Sequence, residues 1–331
     1  MKPVFMRLAA VALALGVAAP SFAAQDAPAA MSEIAVGDAL PHAFFVKPAG
    51  TGPFPAVVVL GGSEGGDRFA RSQAKTLLAE GYAVLGLPYY SPAYPGMPGQ
   101  LAGLPQAFAS IPLEKLAAAR DWLNARSDVK RGALGVLGVS KGAEFALAGT
   151  SRIPGYAAVV AIVPSDVIWE GWGAGTKPGE PSSFAWEGRP LPFVPYLGME
   201  AEFAKFGTGE RPNLRKPQDA GRAANPDRVP AARIAVEKIA APVLVAGGDK
   251  DEVWASGPMA RTIAAERGKI PGLETVTLTF PDAGHMLSGT GVQSTNPAFQ
   301  FSDSDLAAQR SVWQATRDFL AKYLKRDPAS K

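Results

Sequence analysis

The sequence predicts an α/β fold built on a mostly parallel, doubly wound sheet, and three observations carry that expectation. Short apolar runs alternate with amphipathic helical patterns from Ala56 to Leu324. The runs are continuous rather than alternating apolar with polar, as expected for strands covered on both faces. One of them enters a helix directly through the turn Gly138-Val-Ser140-Lys-Gly142, a junction typical of an α/β sheet edge.

Taken in order, Phe44 to Val58, broken by Gly50-Thr-Gly-Pro, reads as a leading antiparallel strand and its turn. Ala56 to Leu60 is a buried strand, and Phe69 to Gly81 is a helix with Ala70, Ala74, Leu77 and Leu78 on its apolar face. Tyr82 to Leu87 is the next strand and Leu113 to Arg126 the next helix. Leu134 to Leu137, Ala157 to Val163, Pro242 to Ala246 and Thr275 to Phe280 are further strands. Lys141 to Ala148 and Ser256 to Arg267 are helices. Asp305 to Leu324 closes the chain, with Leu306, Trp313, Leu320 and Leu324 at helical spacing.

Ser165 to Ala240 interrupts this rhythm. It shows no clear strand, is rich in Pro and Gly, and carries Trp169, Trp172, Phe184, Trp186, Phe193, Tyr196, Phe203 and Phe206. A connection of this length inside a compact domain is usually functional or disordered. It is read as a cap-like insertion over the active site that supplies substrate-binding surface. The competing expectation is an insertion that packs its aromatics against itself.

At the N-terminus, Lys2 and Arg7 flank the apolar run Leu8 to Ala19, which Pro20 ends. The run is too short to span a bilayer and suits a secretory signal peptide, with Ser21-Phe-Ala23 as the processing site. A signal peptide over 1–23 and a single domain over 24–331 are therefore expected. Cleavage falls after Ala23 or one residue later. Export follows, to the periplasm if the host is Gram-negative. The 331 residues include no Cys, so no disulfide or lipidated cysteine is expected. The formal charge of +3 falls toward neutral once Lys2 and Arg7 leave, and no basic run stands out. Nucleic acid is not an expected partner. The remaining apolar runs are too short for stable membrane insertion after cleavage.

The Gly-x-Ser-x-Gly pattern occurs twice, at Gly61-Gly-Ser63-Glu-Gly65 and around Ser140. The turn between strand and helix is so sharp that side chains flanking the Ser would clash. Ser140 is chosen as nucleophile because a strand runs straight into it and the helix begins at once. Ser63 lies on the earlier strand, where hydrolases of this type place oxyanion-hole donors. The backbone N–H groups of Ser63 and Lys141 are assigned that role. A Ser nucleophile needs a proton acceptor, most often His. Of the two His, His42 precedes the first core strand, whereas His285 follows the last in Phe280-Pro-Asp-Ala-Gly-His-Met. His285 is the candidate base. The acid belongs after the strand Pro242 to Ala246, where the loop offers Asp249 and Asp251. Asp251 is preferred and Asp249 stands as the second candidate. Two distant His and no Cys leave no transition-metal cluster, and no P-loop or dinucleotide fingerprint appears. No cofactor and no metal are expected.

Several segments together resemble the C-terminal catalytic domain of the acyl-CoA thioesterase and bile-acid-CoA:amino-acid N-acyltransferase family, within the α/β-hydrolase superfamily. They are Leu60-Gly-Gly-Ser-Glu-Gly-Gly66, Leu87-Pro-Tyr-Tyr90, Gly138-Val-Ser-Lys-Gly-Ala-Glu144 and Val163-Pro-Ser-Asp-Val-Ile-Trp169. Arg189-Pro-Leu-Pro-Phe-Val-Pro195, Pro242-Val-Leu-Val-Ala-Gly-Gly-Asp-Lys-Asp-Glu-Val-Trp254 and Ala283-Gly-His285 complete the set. The resemblance implies a triad of Ser140, Asp251 and His285, favouring Asp251 over Asp249, and cleavage of an acyl thioester or ester through an acyl-enzyme. The family's acyltransferases use a Cys nucleophile, so its absence here favours water as acceptor. Coenzyme A thioesters are cytoplasmic, so export points away from coenzyme A itself.

The function expected is that of a serine hydrolase acting on a small-molecule carboxylic ester or thioester with an apolar acyl part. Tyr90, Trp169, Trp186 and Phe193 are candidate walls of the acyl pocket. The alternatives are an acyltransferase or peptidase on the same scaffold, or a catalytically inactive binding protein.

Overall fold

The computed structural model describes residues 33–92, 101–205, 208–296 and 300–326. The expected signal peptide, 1–23, lies outside the described residues. Eight strands form one sheet: β1 (Ile34–Ala35), β2 (Phe44–Val46), β3 (Phe54–Leu60), β4 (Ala83–Gly86), β6 (Val129–Val139), β7 (Ala158–Ile162), β10 (Val243–Gly248) and β11 (Thr275–Phe280). Their order is β1-β2-β4-β3-β6-β7-β10-β11. A second sheet joins β5 (Ile111–Pro112), β8 (Phe184–Trp186) and β9 (Arg189–Pro190). In the large sheet, β2 runs antiparallel to β1 and β4, and every other pairing is parallel. The expected leading antiparallel strand is β2. Its partner is not the strand after the turn, because β3 lies parallel between β4 and β6.

The continuous apolar runs become strands because branched side chains fit a pleat and crowd a helix. Their two faces feed two cores. Ala56, Val58 and Leu60 of β3 join one core with Leu116, Ala119 and Leu123 of α2 (Lys115–Asn124), Phe145 of α3 (Lys141–Thr150) and Ile263 of α7 (Ser256–Gly268). Val57 and Val59 join the other, with Phe69, Ala74 and Leu77 of α1 (Arg68–Ala79) and Val312, Phe319 and Leu320 of α8 (Asp303–Leu324). Alternate residues on a strand point to opposite faces, so a run apolar throughout is what two covered faces require. Each fully buried Val or Leu contributes about 1.5–3 kcal/mol to this arrangement. Every residue of α3 is buried, which accounts for its small residues, since it packs against β6, β7 and β3.

The insertion 165–240 holds more regular structure than its sequence shows. Besides β8 and β9 it contains α4 (Met199–Lys205), α5 (Arg215–Ala224), α6 (Val229–Ala232) and a 3₁₀ turn at Val236–Lys238. The expectation of no strand is corrected. Strands of two or three residues offer no period to read, and they exist because β5, far away in sequence, pairs with β8. Bridges between Val167 and Arg233 and between Trp169 and Val194 close the segment on itself, and one between Phe108 and Trp172 ties it to the body. No described helix is long and apolar enough to cross a membrane.

Candidate active site

β6 ends at Val139, Ser140 follows, and α3 begins at Lys141. Ser140 holds φ 55° and ψ −122°, a conformation that costs an L-residue energy and persists only where the surroundings impose it. The contacts show why glycine stands on either side. A β-carbon on Gly138 would overlap the Gly142 carbonyl, and one on Gly142 would overlap the Gly61 carbonyl and lie 2.5 Å from that of Leu60. Ser140 donates its N–H to the Ile162 carbonyl at 3.0 Å, which fixes the elbow to the end of β7.

β10 and β11 bring the other two groups to the same edge of the sheet. His285 Nε2 lies 3.0 Å from Ser140 Oγ, and His285 Nδ1 lies 2.8 Å from Asp251 Oδ2. With Nδ1–H donated to the carboxylate, Nε2 is left to accept the Ser140 proton. The Asp251 side chain is fully buried and its acceptor capacity is used. Oδ1 accepts the Val253 and Trp254 N–H groups at 2.8 and 3.2 Å, and Oδ2 also accepts the Ser256 hydroxyl at 2.5 Å. Asp249 instead pairs with Arg261 at 2.8 Å. Between the two sequence candidates, then, Asp251 is the carboxylate that meets the imidazole. His42 is elsewhere, its Nε2 facing the Ala102 carbonyl at 2.6 Å.

The backbone donors assigned to an oxyanion are the Ser63 and Lys141 N–H groups. Among the described residues, neither the Ser63 nor the Lys141 N–H has a protein acceptor. The Lys141 N–H also sits at the positive end of α3. The Gly62 N–H is engaged by Glu64 Oε1 at 2.9 Å. Burial pushes the Glu64 carboxyl up from the ordinary carboxylate range, against its hydrogen bonds to backbone N–H.

The Lys141 side chain turns away from Ser140 into the protein. Its Nζ reaches Glu144 Oε2 at 2.5 Å and Ser183 Oγ at 2.8 Å, within 5.0 to 5.6 Å of the Phe108, Phe184 and Trp172 rings. Glu144 Oε1 accepts the Trp169 N–H at 3.1 Å. Burial pulls the ammonium down and the carboxyl up, and their mutual attraction opposes both shifts. The pair thus fastens the insertion to the helix that follows Ser140.

Of the candidate pocket walls, Tyr90, Phe193 and Trp186 pack with one core cluster and Trp169 with another. Trp169 is fully buried with Val167, Val194, Trp254 and Met259, and stacks on Tyr196. Tyr90 is buried with its ring edge toward Phe108. Phe193 is buried beneath the Arg228 guanidinium, and Trp186 is half-buried against the core. Sequence reasoning missed Ser256, Trp254, Tyr89 and Glu64. Ser256 fastens Asp251, and Trp254 sets its edge to His285 at 5.8 Å while donating Nε1–H to the Val163 carbonyl. The Tyr89 hydroxyl donates to the Gly61 carbonyl at 2.6 Å. Only the resemblance, which contains Tyr89, Glu64 and Trp254 in its segments, held a signal for any of them.

The description "BAAT / Acyl-CoA thioester hydrolase C terminal" fits residues 111–289, a span that holds Ser140, Asp251 and His285. The chain belongs to this family. Among curated relatives, mouse acyl-coenzyme A thioesterase 5 is 36% identical over 115 residues, 35% of this chain and 25% of that protein. Rat acyl-coenzyme A amino acid N-acyltransferase 2 is 28% identical over 246 residues, 74% of this chain and 51% of that protein. The chain spans about half the length, or less, of these two relatives. Among solved structures, a candidate dienelactone hydrolase from Klebsiella pneumoniae superposes with TM-score 0.52 at 17% identity, covering 85% of this chain and 92% of that one. The Pyrococcus horikoshii acylaminoacyl peptidase gives TM-score 0.52 at 12% identity, covering 87% and 40%. At such identities the likeness establishes the fold alone, an α/β hydrolase. The thioester-hydrolase family is thus set on the sheet architecture its sequence resemblance implied.

Proposed function

We propose that this chain is an exported serine hydrolase that cleaves an acyl thioester or carboxylic ester through an acyl-enzyme. The observation that carries the reading is the continuous path from Ser140 Oγ through the His285 imidazole to the buried Asp251 carboxylate, and it is supported by the Ser63 and Lys141 N–H groups, which have no protein acceptor among the described residues. Ser140 Oγ bonds to the acyl carbon while His285 Nε2 takes its proton. The carbonyl oxygen becomes an oxyanion, held by the Ser63 and Lys141 N–H groups. The bond to the leaving sulfur or oxygen then breaks, and His285 returns the proton to it. Water attacks the acyl-enzyme with His285 again as base, releasing the carboxylic acid and restoring Ser140. The Asp251 carboxylate holds the tautomer and stabilises the imidazolium. Trp186, the half-buried member of the four candidate rings, is the residue placed against the acyl chain.

Water rather than an amine is the acceptor in this reading, in keeping with a chain that has no Cys. The N-terminal run is read as an export signal, to be checked by cell fractionation. A fluorophosphonate probe tests the mechanism, with label on Ser140 expected and none in Ser140→Ala. Ser140→Ala should abolish hydrolysis of acyl thioesters and p-nitrophenyl esters of graded length. Ser63→Ala should keep most activity, because Ala retains the backbone N–H. Equal loss in both variants would remove the assignment of Ser140 over Ser63. Formation of an amide product when an amino acid is added would instead favour acyl transfer.

A further inference from the structure

The loop Gly61-Gly-Ser-Glu-Gly-Gly66 is shaped around one side chain. Glu64 folds back over the exit of β3, and its Oε1 accepts the Gly62 N–H at 2.9 Å. A β-carbon on Gly61 would lie 2.7 Å from that same Oε1. One on Gly62 would lie 2.8 Å from Oε2 and 3.1 Å from Ser140 Cβ. Neither glycine holds a positive φ, so it is the carboxyl, not a left-handed turn, that a side chain at these positions would meet first and have to displace. The left-handed positions are the next pair, Gly65 at φ 67° and Gly66 at φ 68°. They reverse the chain so that the Gly66 N–H reaches the Tyr90 carbonyl at 2.8 Å. The Tyr89 hydroxyl, on the Gly61 carbonyl, closes the other end.

A turn of this kind needs no acid, and desolvating a carboxyl costs free energy unless its hydrogen bonds do something in return. Gly62 and Ser63 are adjacent, so fixing the donor of one peptide fixes the orientation of the next. We propose that Glu64 is the positioning residue of the oxyanion loop: its carboxyl oxygen holds the Gly62 N–H and so sets the plane of the next peptide, whose Ser63 N–H has no protein acceptor among the described residues. It is the acceptor oxygen and its placement that act, not the charge. This rests on the serine-hydrolase reading given above.

The rate at which a fluorophosphonate labels Ser140 tests this without knowledge of the natural substrate, since attack of Oγ on phosphorus, with loss of fluoride, also draws on the oxyanion donors. Glu64→Ala should slow labelling by roughly tenfold to a hundredfold, the scale of a misplaced rather than a deleted donor. Glu64→Gln, whose amide oxygen still accepts from Gly62, should stay within about threefold of the parent, and a merely structural role would not produce this rescue. With a thioester substrate the loss in Glu64→Ala should appear in kcat rather than KM. Gly61→Ala should slow labelling by displacing the carboxyl, and should add little in the Glu64→Ala background, where the space is vacant. This variant also serves if Glu64→Ala does not fold. The proposal is overturned if Glu64→Ala labels as fast as the parent. It is overturned equally if Glu64→Gln is as slow as Glu64→Ala, or if the Gly61 and Glu64 effects simply add. A parent protein that takes up no label removes the serine-hydrolase reading itself, and this inference with it.

Discussion

Two carboxylates two residues apart in one loop illustrate how much a single side-chain direction decides. Asp251 is fully buried, bonded by two backbone N–H groups and the Ser256 hydroxyl, and meets His285. Asp249 is paired with Arg261. Asp251→Asn should reduce kcat by up to about 10⁴, because the amide favours the wrong imidazole tautomer. Asp249→Asn should leave kcat within about twofold, as expected of a surface pair. Comparable losses would mean that the loop, not the carboxylate, is what matters. Glu64 gives a prediction of opposite sign for stability. Burial raises its carboxyl above the ordinary range, against its hydrogen bonds to backbone N–H and the His285 charge, which lower it. A carboxyl raised on folding contributes its stability fully below the unfolded value, and that contribution is lost as pH rises through the folded value. Glu64→Gln, which never ionises, should therefore gain Tm relative to the parent as pH rises from about 4 toward neutrality. A constant difference in Tm across that range would contradict this.

Among the elements, α3 has the most demands placed on it. Its N-terminus presents the Lys141 N–H, its every residue is buried, and its first turn carries the Lys141–Glu144 pair that fastens Ser183 and the Trp169 backbone. Removing one member of such a pair strands the other charge away from water, whereas removing both with apolar residues of similar size does not. Lys141→Met should cost about 3–5 kcal/mol in urea unfolding, and the double variant Lys141→Met, Glu144→Leu distinctly less. If the double variant is as unstable as the sum of the singles, the pair is a stabilising feature in its own right. The turn into this helix was legible before any coordinates, because Gly138 and Gly142 are demanded by backbone contact. The side-chain pairing was not. Lys141 and Glu144 lie one turn apart on a helix, and it is the insertion laid over them that buries the pair.

At the scale of the whole molecule, the insertion 165–240 is fastened to the helix that follows Ser140, through Ser183 and the Trp169 backbone. It packs Trp169 and Phe184 into the interior and leaves Trp186 half-buried. Trp186→Ala should therefore lower kcat/KM for a long acyl ester more than for a short one, by about 1–3 kcal/mol if the ring covers the acyl chain. Equal losses would assign the ring to packing and withdraw it from the acyl pocket. Trp169→Ala should instead unsettle the fold, since a fully buried Trp costs about 3–5 kcal/mol to truncate. The buried Trp169 and Phe184 fit the expectation of a self-packed segment, and the Trp186 measurement tests the binding surface.

The sequence by itself determined the sheet, the order of strands and helices around it, the elbow at Ser140 and the choice of His285 over His42. Each rests on local information: periodicity, a glycine that backbone contact demands, or one histidine excluded by its place ahead of the core. Tertiary structure decided that Asp251 rather than Asp249 meets the imidazole on geometric grounds, a choice the sequence could favour only through family resemblance. It also decided that β8 exists, that Lys141 is buried, and that the glycines at 61 and 62 make room for a carboxyl. The first three depend on groups far apart in the chain arriving at one place, and the fourth on a side chain folding back over its own loop. Their signals are single side chains with no period, whose meaning comes from what packs against them.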